Sequence, residues 1–172
     1  MANIITLNDK TPIFGDECFI APTATIIGDV IIGDNCSIWF GAIIRGDVNS
    51  IHIGNNVNIQ DNAVLHCTYK KTTLNIGNNV SIAHAAVVHG CTIADNVLIG
   101  IGAIVLDYAQ IGKNVIIAAG AVVKEHQILE PNSVYAGIPA KKIKPLTPEL
   151  AADYIKRIAN NYKMYSNWYK NK

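Results

Sequence analysis

The chain has 172 residues, of which 50% are hydrophobic and only 16% charged, and its net charge is +1. The length suits one well-filled domain over 1–172, and the scarcity of charge predicts that part of the surface is covered in an oligomer. A near-neutral balance without a basic stripe excludes nucleic acid and anionic membrane as principal partners.

Residues 1–8 lack the basic and apolar regions of a secretion signal. No apolar run approaches the roughly 18 residues that cross a bilayer. Cys18, Cys36, Cys67 and Cys91 show no CxxC spacing and read as the reduced thiols of a cytoplasmic protein.

Phe14 begins a six-residue repeat. An aliphatic or aromatic residue returns at Phe14, Ile20, Ile26, Ile32, Ile38 and Ile44, and four places later stands a small one, as at Cys18, Ala24 and Cys36. The register resets and resumes at Ile53, Ile59 and Leu65. It resets again at Ile76, Ile82 and Val88, and once more at Ile93, running on to Ile117. Such a period fits neither an amphipathic helix (about 3.6) nor a two-sided strand (about 2). It fits a coil with flat faces, each hexad forming one short strand and one corner. The tetrapeptides IGDN (32–35), IGNN (53–56), IGNN (76–79), IADN (93–96) and IGKN (111–114) recur about every three hexads. Gly and Asn suit corners with positive φ. Three hexads per turn predict an all-β triangular prism, a parallel β-helix, over about 14–125.

Glu130–Pro145 reads as a spacer. Thr147, Pro148 and Glu149 then read as an N-cap, a proline at N1 and a first-turn acid. Leu150, Tyr154, Ile158, Tyr162, Tyr165 and Tyr169 follow at helical spacing. One amphipathic α-helix over about 147–170 is predicted to lie on a prism face, its tyrosines serving as packing.

The register gives each histidine a face. The hexads starting at Ile44, Leu65 and Val88 stack in one column, so the following residues, Arg45, His66 and His89, form an outward column that Leu106 continues. His84 is the third residue of the hexad starting at Ile82 and belongs to the preceding face. It reaches the column only from a neighbour related by threefold symmetry. The corner residues Gly33, Gly54, Gly77, Ala94 and Gly112 are 21, 23, 17 and 18 apart. Three residues are therefore added between Arg45 and Ile53, five just after His66, and one is missing just after His89. All these breaks flank the histidine column, where functional sites tend to break local rules.

Three neutral imidazoles around Zn²⁺ leave a fourth tetrahedral position for water. The ion would lower that water's pKa to about 7 and supply hydroxide to a small electrophile. Cys67 and Cys91 flank these ligands, but Cys67, two residues past inward Leu65, is expected to turn to the core. His52 and His126 are expected at the surface.

The stretches IRGDVNSI (44–51), IQDNAVLH (59–66), IAHAAVVHGC (82–91) and YAGIPAKKI (135–143) make the chain resemble the γ-class carbonic anhydrases of the hexapeptide-repeat superfamily. The similarity runs from about Phe14 to the C-terminal helix. It implies a left-handed coil, a homotrimer with metal sites between subunits, Zn²⁺ (alternatively Fe²⁺ or Co²⁺), and interconversion of CO2 and bicarbonate. It carries ligand roles onto His66, His84 and His89, with His84 donated across the interface. It also carries an interface ion pair onto Arg45 and Asp47, a hydroxide-orienting role onto Gln60, and a further interface acid onto Asp61. The chain departs from the family at Val48, where a glutamate follows the RGD triplet, and in the acid-free loop CTYKKTTLN (67–75). The family uses acids there to move protons, so the resemblance supports the metal site more firmly than fast turnover; Tyr69 or a helix tyrosine is an open substitute. The competing functions are a CoA-dependent acyltransferase with one histidine base, a thioesterase using the same metal, and a non-catalytic metal-binding trimeric scaffold.

Overall fold

The computed structural model describes residues 2–170. The chain winds into a parallel β-solenoid of about seven coils, followed by a C-terminal helix. Its strands form a twelve-stranded and an eight-stranded sheet. The long strands Thr25–Ile32 and Ile43–Ile53 pass round a corner and join two of the three faces into one sheet.

The hexad register matches the pairing. Ile44 lies opposite Leu65, Leu65 opposite Val88, and Val88 opposite Val105. All four are fully buried, and each such side chain contributes on the order of 1.5–3 kcal/mol relative to exposure. The small residues sit where the coil turns: Ala42, Ala63, Ala86, Ala103 and Ala121 are fully buried, because the inside of a corner has room for little more than a methyl group.

The recurring tetrapeptides build one corner. Asn56, Asn79, Asn96, Asn114 and Asn132 all have φ between 54° and 58°, a left-handed conformation that asparagine tolerates better than branched residues. Their side chains form a ladder in which each amide donates to the next Oδ1, beginning Asn56 to Asn79 at 2.7 Å and ending Asn114 to Asn132 at 2.8 Å. The preceding residues form a second ladder: Asp34, Asn55, Asn78 and Asp95 each accept from a backbone N–H of the coil before.

The coil extends beyond the repeat limits expected above. Asn3–Ile5 pairs in parallel with Thr25–Ile32 at the N-terminal end. The stretch expected as a spacer, 130–145, instead contains the strand Ser133–Ala136, which continues the eight-stranded sheet, and the antiparallel return strand Lys141–Pro145. Tyr135 takes the inward place six residues after Leu129 and is 5% exposed. Its hydroxyl accepts the Glu130 N–H at 2.8 Å. A large polar-tipped ring there, with Glu130 in place of glycine at the corner and Pro131 after it, conceals the repeat.

Thr147 caps the helix through Oγ1, which accepts the Leu150 N–H at 3.3 Å, and Pro148 follows as expected. The helix is not uniformly α-helical: Pro148–Leu150 leads through a π-helical stretch, Ala151–Lys156, into Arg157–Lys170. The wider turn rotates the apolar stripe. Ile155, Ala159 and Ser166 become the buried residues, while Tyr154, expected on the packed face, is 44% exposed. Ile155 packs on Leu98, Ile116 and Val134 of the eight-stranded sheet. Tyr162 and Tyr165 join a cluster around Phe19 and Trp39, so these tyrosines do pack. Among the described residues no helix is long and apolar enough to cross a membrane.

Candidate metal centre

The strands Val64–His66 and Val87–His89 pair in register, which sets His66 directly opposite His89. The pairing of Ile44 with Leu65 places Arg45 next in the column. Alternation turns all three outward from the isoleucine core. Nδ1 of His66 faces Nε2 of His89 at 3.2 Å.

Each ring is backed by a carboxylate on its far nitrogen. His66 Nε2 lies 3.0 Å from Asp47 Oδ1, and His89 Nδ1 lies 2.6 Å from Asp107 Oδ1. Arg45 Nη1 donates to Asp47 Oδ2 at 2.5 Å, and its Nη2 reaches to 3.4 Å from His66 Nδ1. Burial raises the Asp47 carboxyl, but hydrogen bonds from Arg45 and His66 outweigh it and hold the group below the ordinary carboxylate range. Asp107 behaves alike: burial opposes ionisation, and bonds from Thr68 and His89 overcome it. Burial pushes His66 below its ordinary value, with the Arg45 charge adding and Asp47 opposing.

Ionised carboxylates only accept, so the far nitrogens of both rings carry the protons. The two near nitrogens are then lone pairs aimed at each other, an arrangement that wants a cation between or beside them. Tetrahedral Zn²⁺ with Zn–N bonds of about 2.0–2.1 Å sets ligand nitrogens roughly 3.3 Å apart, close to the separation seen here. Two of the expected ligands thus fit a divalent cation.

The third stands elsewhere. His84 follows the strand Ser81–Ile82 of the other sheet, at a corner where Ala85 has φ 56°. Its Nδ1 lies 3.0 Å from Asp61 Oδ2, and its Nε2 lies 3.2 Å from the Tyr162 hydroxyl. Gln60 is buried, donates from Nε2 to Asn58 Oδ1 at 3.0 Å, and lines with His84 an apolar groove of about 570 Å³ beneath the helix. Arg45, Asp47, His66 and His89 therefore form one cluster, and Gln60, Asp61 and His84 a second. Among the described residues no group of three or more His, Cys, Asp or Glu is arranged to hold a metal ion within one protomer.

The side residues fall as expected. Cys67 and Cys91 are buried in the core, and burial pushes the Cys67 thiol up to about 11. His52 and His126 are exposed. Sequence reasoning missed three partners. Asp107 follows Leu106, where the column reading stopped; an acid at a corner just past the histidine column was the available signal. Thr68 lies in the insertion after His66 and bonds Asp107. Tyr162 contacts His84 across 78 residues, a contact no local pattern announces.

A profile of the bacterial transferase hexapeptide family (six repeats) matches residues 11–46 and 90–125. The chain is 43% identical over 161 residues to a carbonic anhydrase of Geobacillus kaustophilus, covering 94% of this chain and 87% of that protein. It is 42% identical over 166 residues to the mitochondrial γ carbonic anhydrase 1 of Arabidopsis thaliana, covering 92% of this chain but only 59% of the longer plant protein. The crystal structure of the Bacillus cereus BC4754 product, assigned provisionally as an acetyltransferase, superposes with a TM-score of 0.94 at 39% identity, covering 99% of this chain and 98% of that one. With its coils, its carboxylate-backed histidines and these relatives together, the chain belongs to the γ-carbonic anhydrase family of hexapeptide-repeat proteins.

Proposed function

We propose that this chain is a metal-dependent carbonic anhydrase that interconverts CO2 and bicarbonate as a homotrimer. In this reading His66 and His89 of one protomer and His84 of the next hold Zn²⁺, with Fe²⁺ or Co²⁺ as alternatives. The observation that carries it is the pair of imidazole nitrogens 3.2 Å apart, each ring backed by a carboxylate. The bound cation supplies Lewis acidity that makes hydroxide available near neutral pH.

The chain's own residues do the rest. Asp47, clamped by Arg45, keeps the His66 proton on Nε2. Asp61 does the same for His84 at Nδ1, which reserves Nε2 for coordination. The Gln60 amide, anchored on Asn58, is the group proposed to orient the nucleophilic hydroxyl. Beside the histidine column runs an outward row of Ile43, Val64, Val87, Ile104 and Val122. Ile43 is 38% exposed, and an aliphatic stripe of this kind is what a second subunit covers.

The test is metal analysis followed by stopped-flow CO2 hydration. About one metal per chain, lost in His66→Ala, His84→Ala and His89→Ala alike, is expected, with hydration that depends on it. The acid-free loop 67–75 predicts turnover that rises with buffer concentration. The second reading, acyl transfer from a CoA thioester, is favoured by the apolar groove beside His84 and Gln60. Metal-free protein that acetylates an acceptor would establish it instead.

A further inference from the structure

The breaks in the repeat converge on a single carboxylate. Asp107 lies at the corner one coil above His89, its side chain 12% exposed. Both its oxygens are engaged: Oδ1 accepts from His89 Nδ1 at 2.6 Å, and Oδ2 accepts from the Thr68 hydroxyl at 2.5 Å.

Thr68 belongs to the insertion after His66, and that loop is pinned. Asn49 Nδ2 donates to the carbonyls of Thr68 and Thr72, at 2.8 and 2.6 Å. The Thr72 hydroxyl accepts the Thr68 N–H at 2.9 Å. Asn49 itself comes from the additional residues after Arg45. At Gly90, where one residue is missing after His89, φ is +49° and a Cβ would collide with Asp107 Oδ1 and Thr72 Oγ1. Two insertions and one deletion thus bring a carboxylate against one nitrogen of His89 and a hydroxyl against that carboxylate's other oxygen.

We infer that Asp107, held by Thr68, is a positioning residue that keeps the His89 proton on Nδ1 and so presents the Nε2 lone pair toward His66. The inference rests on the metal-centre reading for its purpose, though not for its geometry. A neutral imidazole carries its proton on one nitrogen only; without the carboxylate the two tautomers compete, and the one with a protonated Nε2 cannot coordinate there. Partners of this kind typically change metal affinity by about 10–100-fold when removed.

The experiment uses the full-length protein stripped of metal by chelation and labelled with ¹⁵N histidine. Two-bond ¹H–¹⁵N spectra, recorded with the rings neutral, read the His89 tautomer, and chelator competition reads Zn²⁺ affinity. Asp107→Ala is expected to shift His89 toward the Nε2–H form and weaken Zn²⁺ binding about 10–100-fold. Asp107→Asn, which keeps an acceptor oxygen, should recover part of both. Thr68→Val, which removes one hydroxyl, should move both readouts in the same direction by less. If Asp107→Ala fails to fold, Thr68→Val decides. An unchanged tautomer with affinity within about twofold of the parent overturns the inference and leaves the metal reading standing. A parent protein that binds no Zn²⁺ while Asp107→Ala still switches the tautomer would sink the metal reading and leave the positioning role intact.

Discussion

The Tyr162 hydroxyl lies 3.2 Å from Nε2 of His84, so the C-terminal helix occupies the nitrogen that the proposed coordination requires. Because Asp61 accepts from Nδ1, the tyrosine must donate. Burial, reinforced by the Asp61 charge, pushes its pKa up to about 12, so it remains a donor throughout the physiological range. Tyr162→Phe removes this competitor. One hydrogen bond is worth about 0.5–1.5 kcal/mol net, so Zn²⁺ affinity measured by chelator competition should rise about 2–10-fold. A fall would mean that the hydroxyl supports the centre.

The division of the proposed ligands between two clusters makes a complementation test quantitative. His84→Ala subunits retain His66 and His89; doubly substituted His66→Ala/His89→Ala subunits retain His84. Neither alone is expected to bind metal at full strength. Mixed at equal concentration, unfolded and refolded together, they should restore about a quarter of the sites, the chance that adjacent subunits of a threefold ring supply both halves in the right order. Recovery of no metal would exclude sites shared between protomers.

The corner asparagines offer a stability test. Asn96 has φ 58°, accepts from Asn79 and donates to Asn114. Asn96→Gly loses the ladder but accommodates the backbone; Asn96→Ala loses the ladder and is strained. Urea denaturation should find the alanine variant less stable than the glycine variant by about 1–2 kcal/mol, the cost of a left-handed conformation for a Cβ-bearing residue.

Thiol titration checks the core. Cys36, Cys67 and Cys91 are buried, and Cys18 is partly buried. Burial raises Cys67 and Cys91, while a hydrogen bond with Cys18 leads burial in raising Cys36. At pH 8 a disulfide reagent should modify no more than one thiol of the native protein, and all four after denaturation. Rapid reaction of Cys67 would argue for a thiolate beside the histidines.

Asp47 and Asp107 have depressed pKa values in the folded chain. Groups of this sign stabilise the fold above their unfolded pKa near 4 and lose that contribution as pH falls through the lower folded value. The metal-free protein should therefore lose stability below about pH 4. The double variant Asp47→Asn/Asp107→Asn should show a flatter profile between pH 4 and 2 by urea denaturation.

The coil and its histidine column were legible because the hexad period assigns each residue a face without reference to anything distant. That is why Arg45, His66 and His89 could be stacked from spacing alone, and His84 set apart. What escaped were features carried by departures from the period. Tyr135 fills an aliphatic place with a ring whose hydroxyl satisfies the Glu130 N–H; Asp107 works through a loop contact 39 residues back; and the π-helical stretch rotates Tyr154 outward although its spacing is regular.

The return strand Lys141–Pro145 runs antiparallel to Ser133–Ala136, and all five of its residues are exposed. A tube of parallel coils is otherwise a template for its own extension, since its last rung presents unpaired amides and carbonyls to any strand that arrives. Reversing direction there and studding the outermost rung with Lys141, Lys142 and Lys144 gives the tube a terminus that repels another like it. At that end it is thereby protected from stacking tip to tip into fibres.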